Sequence, residues 1–185
     1  NYPFPINAEW EHCAGSSPQF RGYTCALWTT FHALTVQAYK NGFNDPKFNP
    51  IAPLVAIRNW VSVFFGCQHC RKHFLQMTLQ TFPIESQVRY FYLYIIIYSY
   101  EKMFRDTIKI KCYSEYYDVK VHRPEDTFMY LWQAHNIVND RLRGDDTEDP
   151  EFPKRQFPAE FLCSVCQYDG YFNNDQVKEF LLVYY

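Results

Sequence analysis

Seven cysteines in 185 residues exceed what an ordinary domain of a reducing compartment carries, and their spacing restricts the folds open to the chain. Cys67 and Cys70 form one Cys-x-x-Cys, CQHC, and Cys163 and Cys166 form a second, CSVC. Cys13 and Cys25 lie close together near the start and Cys112 stands alone, so six can pair and one is odd. A Cys-x-x-Cys at a helix start can close a disulfide, and the helix N-terminal field lowers the pKa of an exposed first thiol. Cys67 is therefore a candidate nucleophile. Two other uses of such motifs stay open on these residues, a plain structural disulfide and a zinc site built from both pairs. The long separation of Cys70 from Cys163 disfavours zinc, because compact zinc ribbons space their pairs by about 15–20 residues.

The apolar pattern around these cysteines is helical. Leu27, Phe31, Leu34 and Ala38 predict a helix over about 25–40 that stops at Asn41-Gly42. After Pro50, Leu54, Ile57, Val61 and Phe64 predict a second that runs to about Phe65, broken by Gly66 directly before CQHC. A third begins at the cysteines, carries Cys70, Phe74 and Met77 on one side and ends near Gln80. A fourth opens at Glu125-Asp126, acidic residues suited to a helix N-terminus, and passes through Phe128, Leu131, His135 and Val138 to Arg143-Gly144. The Pro-rich connector DPEFPKRQFP leads to CSVC, and a short helix from about Asn174 to Tyr184 follows. The expected fold is all-α: a four-helix bundle plus a short fifth helix, one domain over residues 1–185, with an irregular insert at about 83–122 between helices three and four.

That insert stands apart in composition, holding half of the sixteen tyrosines, six isoleucines and Cys112. Its pattern does not separate strand from helix. Two origins fit it: in-frame translation of an unspliced AT-rich intron, or a lineage-specific loop. Transcripts that consistently span codons 83–122 would exclude the first.

Charge narrows the partners. Lys+Arg 18 against Asp+Glu 20 gives a net charge of −2, which removes the electrostatic case for nucleic acid or an anionic membrane surface. The longest apolar stretch, Phe91 to Tyr100, is about half the length that spans a bilayer and is rich in tyrosine. A content of 48% hydrophobic and 20% aromatic residues supports a packed core despite 11 prolines. The opening NYPFPINAEW, without Met or a targeting signal, reads as that of a fragment or processed product.

Several side chains could serve a ligand. Trp28 and His32 sit one turn apart on the first predicted helix, His73 lies three residues past Cys70, and Trp132 and His135 lie on the fourth. Each alone reads more readily as core packing than as a ligand site; together, beside a Cys-x-x-Cys, they suit a flat redox-active cofactor. Asn136 and Asn139 could offer amides to a purine or ribose, or be solvated helix residues. His69, inside the motif, would favour a neighbouring thiolate when protonated. Arg21 and Lys154 could meet a phosphate or be surface cations.

Taken together, RGYTCALWTTFHALT, FFGCQHCRKHF, LWQAHNIVN and DPEFPK…LCSVC resemble the flavin-binding sulfhydryl oxidase domain of the Erv/ALR family, in the manner of its quiescin branch. The likeness covers roughly residues 10–80 and 122–183. It implies a helical bundle that binds FAD and uses O2 to convert dithiols to disulfides with release of hydrogen peroxide. Arg21, Trp28, His32, His69, His73, the segment Trp132 to Asn139 with His135, Asn136 and Val138, Lys154 and Phe157 correspond to flavin-contacting positions. Phe157 stands where related enzymes tend to carry Trp, and His69 is an unusual residue between the active cysteines. The likeness also makes Cys67 the interchange thiol, Cys70 the flavin-proximal one, Cys13–Cys25 a structural staple and Cys163–Cys166 a third pair of open role. No metal is implied, and Cys112 is expected to pair with none of the six. Expected partners are O2 and small dithiols, or reduced proteins through an upstream thioredoxin domain, in the secretory pathway. An exposed bundle face could lead to dimers. Other classes remain: a catalytically silent, disulfide-stapled binding module, separated by flavin content, and a zinc-stabilised domain, separated by metal analysis.

Overall fold

The apolar stripes become helices whose ends are set by particular side chains. The computed structural model describes residues 9–10, 12–85 and 121–185. Its elements are α1 (Gly22–Gly42), α2 (Ala52–Phe64), α3 (Gln68–Gln76) continuing into a π turn (Met77–Thr81), α4 (Asp126–Leu142), β1 (Gln167–Tyr168), β2 (Tyr171–Phe172) and α5 (Asn174–Tyr184). At the start of α4 the Asp126 carboxylate accepts the backbone N–H groups of His122 at 2.9 Å and Arg123 at 2.7 Å, which pins the segment leading into the helix. Asn173 caps α5 through the N–H groups of Asp175 and Gln176. The helix α2 ends because Phe65 turns extended, and Gly66 needs no special conformation to follow it.

Two apolar clusters share α1 and α4. In the first, Phe31 of α1 meets Leu54, Ile57 and Val61 of α2, Met77, and Tyr130, Leu131 and Ala134 of α4, with Ile84 and Val121. In the second, Val36, Phe128 and Trp132 meet Val177 and Leu181 of α5 and Cys166. The inner face of α1 departs from the expected stripe: Leu34 is half exposed, while His32, Thr35 and Val36 are buried. Val36 is covered by Val177 and Leu181 of α5, and His32 by the ring of Tyr185, which follows that helix.

Helix α3 stops at Gln76 rather than near Gln80, where the chain widens into the π turn and Met77 and Thr78 are buried. Between CSVC and α5, residues to which the sequence pattern assigns no element form an antiparallel hairpin pairing Gln167 with Phe172 and Tyr168 with Tyr171. Its turn, Asp169-Gly170, has positive φ at both positions, a backbone that this dipeptide adopts readily. Most of the insert, with Cys112, lies outside the described residues, as does the expectation that Cys112 stays unpaired. No helix among the described residues is long and apolar enough to cross a membrane.

The six other cysteines close as Cys13–Cys25, Cys67–Cys70 and Cys163–Cys166. Cys13–Cys25 fastens the irregular N-terminal arm to the first turns of α1. Replacing both by serine is expected to cost about 3 kcal/mol from the loop released in the unfolded chain. A denaturant melt of the double variant checks this.

Candidate active site

Residue Cys67 stands at the N-cap of α3, with its Sγ accepting the backbone N–H of Cys70 at 3.2 Å. The first-turn amides therefore face this sulfur, so its thiolate is favoured there. Cys67 is exposed and Cys70 half-buried, an asymmetry that offers the first sulfur to solutes and the second to the interior. Both reach the wall of a cleft of about 1140 Å³.

The same cleft is lined by Trp28 of α1, His73 and Phe74 of α3, His135, Val138 and Asn139 of α4, and Lys154 and Phe157 of the connector. Trp28 and His135 stack at 4.2 Å with planes 10° apart. Behind them His32 is buried, its Nε2 3.0 Å from His135 Nδ1, so that one ring N–H donates to the other ring's lone pair. Burial pushes the His32 imidazole down to about 3 and holds His135 well below the usual histidine range, with His32 and Lys154 adding to the latter effect. Both rings are neutral at physiological pH. His32 Nδ1 is buried without a hydrogen-bond partner, and the Tyr185 ring stacks on this imidazole at 5.2 Å.

Two cations approach the far end of the cleft. Arg21 lies over the Phe152 ring at 4.2 Å, and Lys154 is lowered from the ordinary lysine value by burial and then by Arg21, partly offset by Glu148 and Asp149. The wall carries four cations, Arg21, Arg141, Lys154 and Arg155, against the carboxylates of Asp149 and Glu151. Asp149 is already engaged, accepting the backbone N–H of Ser16 at 2.9 Å and of Glu151 at 3.0 Å. This carboxylate joins the N-terminal arm to the connector and brings Arg21 and Lys154 to one place.

Not every expected residue lines the cleft. Trp132 is buried, and its Nε1 donates to the Phe157 carbonyl. Asn136 donates to that carbonyl at 2.8 Å and accepts the Phe157 N–H at 2.7 Å, while Asn139 donates to the Arg155 carbonyl at 3.0 Å. These amides hold the connector on α4, a use of Asn136 and Asn139 that differs from both readings of the sequence. His69 is exposed off the wall, packed edge-on against His73 at 4.3 Å. Cys163 and Cys166 are also away from the wall, and Cys166 is buried in the second cluster. Sequence reasoning missed Asp149, Phe74, Tyr184 and Tyr185 of the lining; the helical spacing of Tyr184 from Phe180 and of Tyr185 from Leu181 could have found the tyrosines. Asn136→Ala is expected to cost about 2 kcal/mol, since it leaves the Phe157 N–H without its partner and the Phe157 carbonyl with Trp132 alone. Faster amide exchange at Phe157, read by NMR, would localise the loss.

A helical bundle presenting a Cys-x-x-Cys disulfide at a helix start, beside an aromatic and cationic cleft, defines a redox-disulfide class of domain. The chain belongs to the Erv1 / Alr family, whose pattern matches residues 25–158. It is 36% identical over 162 residues to sulfhydryl oxidase 1 of Gallus gallus, covering 88% of this chain and 17% of that protein. Against sulfhydryl oxidase 2 of Homo sapiens it is 33% identical over 165 residues, covering 85% of this chain and 18% of that protein. The chain thus spans less than a fifth of the length of these curated relatives. Its structure is similar to the sulfhydryl oxidase fragment of human QSOX1, with TM-score 0.65 and 32% identity, covering 96% of this chain and 58% of that one.

Proposed function

We propose that the chain is a flavin-linked sulfhydryl oxidase that converts dithiols to disulfides. The observation that carries this reading is the exposed-to-buried Cys67–Cys70 disulfide opening on the same cleft as Trp28, His135, Arg21 and Lys154. A substrate thiolate attacks Cys67 Sγ; the Cys67–Cys70 bond breaks and its electron pair leaves on Cys70 Sγ. A second substrate thiolate attacks the mixed disulfide, releases oxidised substrate and leaves Cys67 and Cys70 as a dithiol. The amides at the α3 N-terminus stabilise the anionic sulfur that departs at Cys67 in the second step.

The residues present fit FAD. The cleft is as large as the upper end of ordinary small-molecule pockets, about 1,000 Å³. Its cation excess suits a diphosphate, to be held by Arg21 and Lys154, and Trp28, His135 and Phe157 offer flat faces for a ring system. The unpartnered His32 Nδ1 leaves that wall one more hydrogen bond to make. When bound, FAD supplies the two-electron acceptor that passes the electrons of the dithiol to O2 as hydrogen peroxide. Neutral His32 and His135 add no charge to the aromatic part of the site, and Trp132, Asn136 and Asn139 act on it by fixing the connector that carries Phe157 and Lys154.

The longer relatives support placing such a domain in the secretory pathway, Golgi or extracellular, where a thioredoxin domain of the same protein would relay electrons from reduced proteins. The test is the visible spectrum of the purified chain, reconstituted with FAD, followed by peroxide release on adding dithiothreitol. A flavin spectrum that bleaches and returns with peroxide is expected. A chain that stays colourless after reconstitution favours the silent binding module.

A further inference from the structure

The end of α2 is unlike the rest of that helix. Leu54, Ile57 and Val61 are buried in the core, yet the last two residues, Val63 and Phe64, are 64% and 65% exposed. Phe64 rests one side on the Trp60 ring, 5.9 Å between centroids, and keeps its outer side in solvent. Tyr23, half exposed, stacks on Phe65 at 6.0 Å and extends the apolar surface towards α1. Exposed Cys67 follows Phe64 by three residues. Contiguous apolar side chains in solvent mark interaction sites more often than isolated ones do.

Charge distinguishes the same region. No Asp or Glu occurs between Ile51 and Ile84, although the whole chain carries a net charge of −2. Within that stretch Arg58 is buried and bonded to Glu85 at 3.0 Å, which leaves Arg71 and Lys72 at the start of α3 as the cations beside the disulfide. Arg71 donates from Nη1 to the Ser62 carbonyl at 3.2 Å, so its guanidinium sits against the end of α2. The attackable sulfur therefore has both kinds of side chain close along the chain, Phe64 three residues before it and Arg71 four after.

We propose that Val63, Phe64 and Tyr23, together with Arg71 and Lys72, form a surface next to Cys67 that docks a flexible polypeptide segment whose attacking cysteine has an apolar neighbour and an acidic one. This deepens the oxidase reading and rests on it for the exchange at Cys67. The apolar neighbour covers the α2 end, and the acidic neighbour meets cations that no carboxylate of α2 or α3 neutralises. A small dithiol reaches Cys67 without using either surface.

The test measures how fast reduced peptides reduce the Cys67–Cys70 disulfide in a single encounter, read by quenching, alkylating the freed thiols and weighing the protein. Two dithiol peptides of equal length are compared, one with phenylalanine and glutamate flanking its cysteines, the other with serine and lysine; dithiothreitol is the third reductant. The first peptide is expected to react about tenfold faster than the second. Phe64→Ser and Lys72→Glu should each remove most of that advantage and leave the dithiothreitol rate within about twofold. Equal peptide rates overturn the proposal, as does a variant that slows dithiothreitol as much as peptide. If Phe64→Ser instead converts a dimer to a monomer in sedimentation and leaves the peptide preference intact, the surface joins two copies and the proposal fails. The readout needs no turnover: a chain whose disulfide discriminates between peptides but makes no peroxide refutes the oxidase reading alone.

Discussion

Replacing Cys70 by serine is expected to lower catalysed dithiol oxidation by at least about 10³-fold, since no thiol then remains to re-form the disulfide with Cys67. The variant should reveal more than loss of activity. Offered the disulfide of a small thiol, the Cys67 thiolate of Cys70→Ser attacks it and keeps half of it as a mixed disulfide, which the introduced hydroxyl cannot displace. Cys67→Ser should lose turnover equally but capture the same reagent about tenfold more slowly, because Cys70 is half-buried and lacks the N-cap position. Intact mass followed by peptide mapping distinguishes adducts at the two positions. Equal capture would show that exposure and the helix end do not divide the labour between the sulfurs.

Acid is expected to unfold the chain earlier than its carboxylates alone would. His32 titrates at about 3 in the folded chain against an ordinary value of 6.5, and His135 is lowered as well, both chiefly by burial. Between those two values the unfolded chain binds more protons than the folded one, so stability rises with pH across the window. The contribution is complete above about pH 6.5 and declines as pH falls through the unfolded value towards 3. For one proton the slope is about 1.4 kcal/mol per pH unit, so lowering pH from 6.5 to 5 should remove roughly 2 kcal/mol. Carboxylates held below their ordinary range, such as Asp126, lose their contribution only at lower pH. His32→Gln should flatten the slope between pH 5 and 6.5 and lower stability at pH 7, where the bond to His135 is weakened. Urea melts at half-unit pH intervals measure both effects; an unchanged slope would mean that His32 does not set it.

Much of the architecture was legible because burial imposes a period. Leu54, Ile57 and Val61, or Phe128, Leu131 and His135, recur as a helix face requires, and the acidic start of α4 is a local signal that ties the helix to the segment before it. The hairpin was missed although Asp169-Gly170 is a strong two-residue turn signal, since strands of two residues leave no alternation to read. At the site, residue types pointed to the right helices but not to what their polar atoms touch. Asn136 and Trp132 face a connector twenty or so residues later, a non-local contact that no spacing within α4 encodes. The unexpected burial of His32 has the same origin, in the return of α5 to the bundle.

The fold joins two places that respond differently to added chain. Ile84 and Val121, on either side of residues 86–120, are both sunk in the cluster that contains Tyr130 and Leu131, and Glu85 is tied to Arg58. Entry and exit are fixed to the same body, so extra sequence there behaves as a closed loop whose entropic cost grows only with the logarithm of its length. The connector has no such freedom. Between Asp149 and Phe157 the connector is tied at Asp149 to Ser16, at Arg155 to Asn139 and at Phe157 to Asn136, and one inserted residue would carry Lys154 or Phe157 off the cleft. Divergence among chains of this kind should therefore accumulate as length at the first position and only as substitution at the second.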